Sequence, residues 1–150
     1  MREILFRGKR LDNGEWIEGH LIQYEDGRAR ICESHTDIFC YEKDQSIIQT
    51  VAHEVDPSTI GQHTGLNDKS GKPIFEGDIL KRYYGDLYTD DAVIEYVVWF
   101  NNGWCANDVT NMTYEAYSIF EDDVIPYAEI IGNIYDNPEL LKEGAGNSQV

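Results

Sequence analysis

Thr64-Gly65-Leu66-Asn67-Asp68-Lys69-Ser70-Gly71-Lys72-Pro73-Ile74-Phe75-Glu76-Gly77-Asp78-Ile79-Leu80-Lys81 is the stretch that decides the fold class. A polar glycine turn, Lys69-Ser70-Gly71, passes directly into the apolar Pro73-Ile74-Phe75. A second glycine, Gly77, then precedes the strand-like run Asp78-Ile79-Leu80. Close alternation of turn and short apolar run is the punctuation of a small, tightly turned β domain.

The same punctuation recurs on both sides. Asn13-Gly14 separates Ile4-Leu5-Phe6 from the run at residues 16–24. Asp26-Gly27 joins that run to residues 28–31, and Asn102-Gly103 follows residues 92–100. Asn-Gly and Asp-Gly suit two-residue hairpin loops, whose central positions need positive φ. Within the first long run, Ile17 and Leu21 alternate with Glu18 and His20, which predicts one wet face. Residues 92–100 are apolar on both faces: Val93, Val97 and Trp99 on one, Ile94, Tyr96, Val98 and Phe100 on the other. That predicts a central strand. Ile130, Gly132 and Ile134 alternate with Ile131, Asn133 and Tyr135 in a last strand.

Helix is predicted to be scarce. Asp56-Pro57 reads as an N-cap followed by proline at the first helical position, with Gly61 ending the turn, and Asn137-Pro138-Glu139-Leu140-Leu141 repeats that grammar. Residues 54–63 form the natural boundary between two strand-rich halves. A faint echo crosses it, since Gly14 through Glu18-Gly19 to Ile22 parallels Gly71 through Glu76-Gly77 to Ile79 with one residue of offset.

A chain of 150 residues folded as one body buries roughly 70% of its unfolded surface, enough for a core without staples. Asp and Glu number 28 against 12 Lys and Arg, a net charge of −16. Such a surface repels a phosphate backbone, so direct nucleic-acid binding is disfavoured. The only dense basic groups are Arg2, Arg7, Lys9 and Arg10, and later Lys81-Arg82. Three cysteines, Cys32, Cys40 and Cys105, cannot pair completely, and no apolar signal segment follows Met1-Arg2-Glu3. No run reaches the about eighteen apolar residues of a membrane span. The expected location is the cytoplasm.

Candidate chemistry is thin. Gly65 to Lys72 resembles a phosphate-binding loop superficially, but five residues separate its glycines and Pro73 stands where the magnesium-binding hydroxyl belongs. A hairpin turn accounts for it better. Cys32, His35 and Cys40 could ligate zinc, with His53 as a distant fourth, yet only half of a structural zinc spacing is present. His20, His35, His53 and His63 lie apart from any nucleophile elbow. Pairs such as Asp90-Asp91 and Asp122-Asp123 read as solvated loops. Tyr83-Tyr84 and Tyr88 would make a stacking platform were they not among Asp86, Asp90 and Asp91.

The start, Met1-Arg2-Glu3-Ile4-Leu5-Phe6-Arg7-Gly8-Lys9-Arg10 with Asn13-Gly14-Glu15-Trp16-Ile17-Glu18-Gly19, resembles that of YopX-family proteins. So do Asp56-Pro57-Ser58-Thr59-Ile60-Gly61-Gln62-His63-Thr64-Gly65-Leu66 with Asp68 to Ile79, and the block Ile130 to Leu141. The resemblance implies a mostly β protein of bacteriophages and prophages, whose C-terminal part is similar to a Src-homology-3-like small barrel. It carries over no catalytic residue.

The expected architecture is mainly β with little helix: an N-terminal β unit at 1–55, a connecting segment at 56–63, a C-terminal small β-barrel at 64–141 and a flexible tail at 142–150. The expected function is that of a phage or prophage accessory protein binding a host or phage protein, with no catalytic residue, metal or cofactor; self-association stays open. Two alternatives remain. One is an acidic DNA mimic that inhibits a host DNA-binding defence enzyme, using Asp86, Asp90, Asp91, Glu95, Glu121, Asp122 and Asp123. The other is an enzyme with an untypical site.

Overall fold

The computed structural model describes residues 3–33, 52–83, 92–100, 102–108, 117–118 and 128–142. The protein is mainly β, in two antiparallel sheets, and divides into two compact units, Met1–His63 and Thr64–Val150.

In the first unit β1 (Phe6–Lys9) pairs with β2 (Trp16–Gln23), β2 with β3 (Ala29–Glu33), and β3 with β4 (Ala52–Val55). The expected turn residues make these hairpins. Gly14 has φ 73°, and the Asn13 side-chain oxygen accepts from the Glu15 amide. Gly27 has φ 88°, and the Asp26 carboxylate accepts from the Arg28 amide. Beyond β1 the chain turns back on β4. Arg10 bridges Val55, the Leu11 amide donates to the Glu54 carbonyl at 3.0 Å, and the Asp56 amide donates to the Lys9 carbonyl at 2.8 Å. The four strands therefore close on themselves around Ile17, Ala29, Ile31 and Val55, with Phe6, Leu21 and Ile60 packed against them.

Pro57–Thr59 is a single 3-10 turn, capped as expected by the Asp56 carboxylate accepting from the Ser58 amide. Strand β5 (Gly61–Asn67) follows, and its first residues pair with β1. The hydrogen-bonded order is β4-β3-β2-β1-β5-β6, with β6 at Pro73–Phe75.

In the second unit β7 (Asp78–Tyr83), β8 (Ala92–Phe100), β9 (Gly103–Asp108), β10 (Tyr117–Ser118) and β11 (Ala128–Asn133) take the order β10-β9-β8-β7-β11. Strand β8 is central, as its apolar run predicts. It is not buried on both faces: only Glu95 and Val97 are fully enclosed, and Trp99 and Phe100 stand out at its end. Among the described residues β7 is enclosed on both faces, with Asp78, Ile79 and Leu80 all buried, and so is the middle of β9, with Trp104, Cys105 and Ala106. Ile74, Leu80, Val97, Trp104 and Ala128 form the core, with Leu66 and Ile130 against it.

Two expectations need correction. Phe100 pairs with Gly103, so Gly103 belongs to β9 and positive φ falls on Asn102, at 64°. Asparagine tolerates that conformation because its short amide can bond locally. The echo between the halves also fails. Gly19 lies inside β2, whereas Gly77 sits in the β6–β7 turn with φ 84°. After β11, Leu140, Leu141 and Lys142 donate to carbonyls three residues back, giving the short terminal turn the Asn137-Pro138 grammar predicts. The flexible tail at 142–150 lies outside the described residues except for Lys142.

Candidate interaction surface

The loop resembling a phosphate cradle is a self-satisfied hairpin. Asp68 accepts at Oδ1 from the Ser70 amide (2.9 Å), the Ser70 hydroxyl (2.7 Å) and the Lys72 amide (2.9 Å). Its Oδ2 accepts from the Ile130 amide at 3.2 Å. The amides a phosphate would need are thus engaged by an internal carboxylate, which also ties the turn to β11. Burial pushes the Asp68 carboxyl up, but the bonds from Ser70, Lys72 and Ile130 outweigh it and hold the pKa at about 2.

A folded pKa below the ordinary 3.8 means the stabilisation is complete above that value and is lost as pH falls towards 2. Asp68→Asn should lower stability near neutral pH by about 1–2 kcal/mol, allowing for solvent screening at the turn. It should also flatten the acid limb of the stability profile between about pH 4 and pH 2. Urea unfolding across that range checks this; parallel acid limbs in both proteins would refute it.

Glu95 leaves the acidic set on which a DNA mimic was drawn. It is 1% exposed and ion-paired with Arg82, itself 6% exposed: Nη2 to Oε1 is 2.7 Å and Nε to Oε2 is 3.2 Å. Asp86, Asp90, Asp91, Glu121, Asp122 and Asp123 lie outside the described residues, as do Tyr84 and Tyr88.

The zinc candidates do not converge where they can be followed. Cys32 sits in β3 opposite His20 and Ala52, while His53 lies opposite Ile31, one position along and so on the other face. His35 and Cys40 are outside the described residues. Among the described residues no three His, Cys, Asp or Glu side chains could hold a metal together. Cys105 is buried, and burial pushes its thiol pKa up, which suits a core side chain better than a nucleophile.

An open groove of about 400 Å³ in the first unit is lined by Leu11, Asp12, Arg30, Ala52, His53 and Glu54. Its strongest charges are already spoken for: Asp12 pairs with Arg10 at 2.6 Å, and Glu54 with Arg30 at 3.4 Å. A ligand entering there would have to displace an existing partner.

The end of the β8–β9 hairpin is different. Trp99 is 51% exposed and Phe100 41% exposed. Trp99 packs against the buried Trp104 directly across the hairpin, with centroids 4.8 Å apart and rings at 77°. Successive strand residues point to opposite faces, so the tip presents an aromatic ring on each side. Trp104 gives Trp99 a buried base.

Residues 5–142 match the YopX protein family. The chain belongs to the YopX family. A solved structure agrees in fold: the crystal structure of protein EF1440 from Enterococcus faecalis shares 21% identity, covers 94% of this chain and 99% of its own, and has a TM-score of 0.53. At that identity the likeness concerns fold alone. No curated protein matches this YopX-family chain.

Among the described residues, no helix is long and apolar enough to cross a membrane. The aromatic tip was missed because periodicity assigned Trp99 and Phe100 to a buried strand. The available signal was position: they are the last apolar residues before the polar Asn101-Asn102-Gly103 of the sequence, and a strand runs out of neighbours at its end.

Proposed function

We propose that this YopX-family chain is a non-enzymatic accessory protein of a bacteriophage or prophage that binds another protein in the host cytoplasm. One observation carries the reading, the exposed Trp99 and Phe100 at the end of the β8–β9 hairpin. Large aromatic rings bury much area with little loss of side-chain entropy, and they dominate the energetics of protein interfaces. Monomers scatter single apolar residues over their surfaces, but two adjacent large rings at a turn are a concentrated feature.

The test is an affinity pull-down from infected host cells, comparing the wild type with Trp99→Ala/Phe100→Ala. Truncating interface anchors costs about 2–4 kcal/mol of binding, so captured partner should fall at least about thirtyfold. Circular dichroism should be unchanged, because both rings are half-exposed. A partner retained in full by the double variant would move the interface elsewhere on the chain.

A further inference from the structure

We infer that the tip of the β8–β9 hairpin receives a cationic, arginine-bearing segment of the partner protein, an inference that rests on the protein-binding reading above. In the first unit, two aromatic rings at or near the surface already have cations from their own chain. Arg7 lies over Trp16 at 4.8 Å and Lys9 at 5.6 Å. Arg28 lies over Tyr24 at 5.4 Å. Trp99 and Phe100 are more exposed than Tyr24, at 51% and 41% against 37%. Among the described residues neither carries a cation.

The chain has few cations to spare, with 12 Lys and Arg against 28 Asp and Glu. Of these, Arg82 is committed to Glu95, Arg10 to Asp12, Arg30 to Glu54 and Lys69 to Glu129. A ring face is electronegative and attracts a guanidinium or ammonium within about 6 Å. A net charge of −16 repels a second copy of the chain and steers cations toward it. Arginine fits better than lysine, since its planar, weakly hydrated guanidinium stacks on aromatic faces. Because the two rings face opposite sides of the hairpin, an arginine-bearing segment can straddle the tip.

Deca-arginine, deca-lysine and a neutral Gly-Ser decapeptide are the probes, titrated by tryptophan fluorescence and calorimetry. Deca-arginine should bind most tightly and the neutral peptide least. Trp99→Ala/Phe100→Ala leaves the net charge unchanged and should weaken deca-arginine binding about tenfold. Trp99→Phe/Phe100→Tyr keeps both rings and should restore most of it. Equal deca-arginine affinity for the wild type and the alanine variant would overturn the inference, because general acidity would then account for binding. Equal affinity of the wild type for all three peptides would overturn it too. Neither result touches the pull-down, in which a tip-dependent partner would still support protein binding.

Discussion

Glu95→Ala is expected to remove about 3–5 kcal/mol of stability, the usual consequence of stranding one member of a buried ion pair. The residues sit diagonally across two strands, since Leu80 pairs with Glu95 and Arg82 with Val93. Arg82 grips both carboxylate oxygens of Glu95, and the side chains are only 7% and 1% exposed. With the carboxylate gone, a buried guanidinium loses both of the bonds it makes to Glu95. A domain of this size has about 5–15 kcal/mol in all, so the single change could remove half. The double change Arg82→Met/Glu95→Leu should recover most of the loss, because replacing a whole buried pair by apolar groups is often neutral. Urea unfolding of Arg82→Met, Glu95→Leu and the double variant forms the cycle. A loss below about 1 kcal/mol for either single variant would mean that the site is hydrated and the pair behaves as a surface one.

Gly19→Ala should be the most damaging glycine change in the first unit. A Cβ there would sit 1.9 Å from the Cys32 carbonyl oxygen and 2.7 Å from its carbon. Backbone cannot swing aside as a side chain can. Gly19 also pairs with Phe6 on one flank and Glu33 on the other, so two ladders would have to part. The expected loss is about 3 kcal/mol, the upper end for overpacking. Gly14→Ala is the control. Its φ is 73°, yet nothing lies within 4 Å, so only the left-handed backbone penalty of about 1–2 kcal/mol applies. Thermal unfolding ranks the two, and a Gly14→Ala variant less stable than Gly19→Ala would refute the close-approach account.

Much of the architecture was legible because it is written locally. Gly14, Gly27 and Gly71 mark turns with positive φ. Asp56 before Pro57 caps one short turn, and the terminal turn follows Asn137-Pro138 in the same way. Each depends on a few adjacent residues, whose turn chemistry does not need the rest of the fold. The family resemblance was legible for a related reason: its blocks are mostly these turns and the strands entering them.

The sequence by itself thus determined a turn-rich, mainly β chain with little helix, a net charge of −16 and membership of the YopX family. Tertiary structure alone decided which side chains are hidden. Glu95 looked like one more surface acid until Arg82, thirteen residues away, was brought to it. Asp68 looked like an ordinary turn residue until Ile130, sixty-two residues on, donated to it. Gly19 reads as a poor strand residue until the Cys32 carbonyl arrives beside it. Trp99 and Phe100 read as core because periodicity reports which face a residue takes, not whether a neighbouring strand extends far enough to cover it. Turn formation is settled within a few residues; burial is settled by segments distant in the chain, and the candidate interface depends on burial.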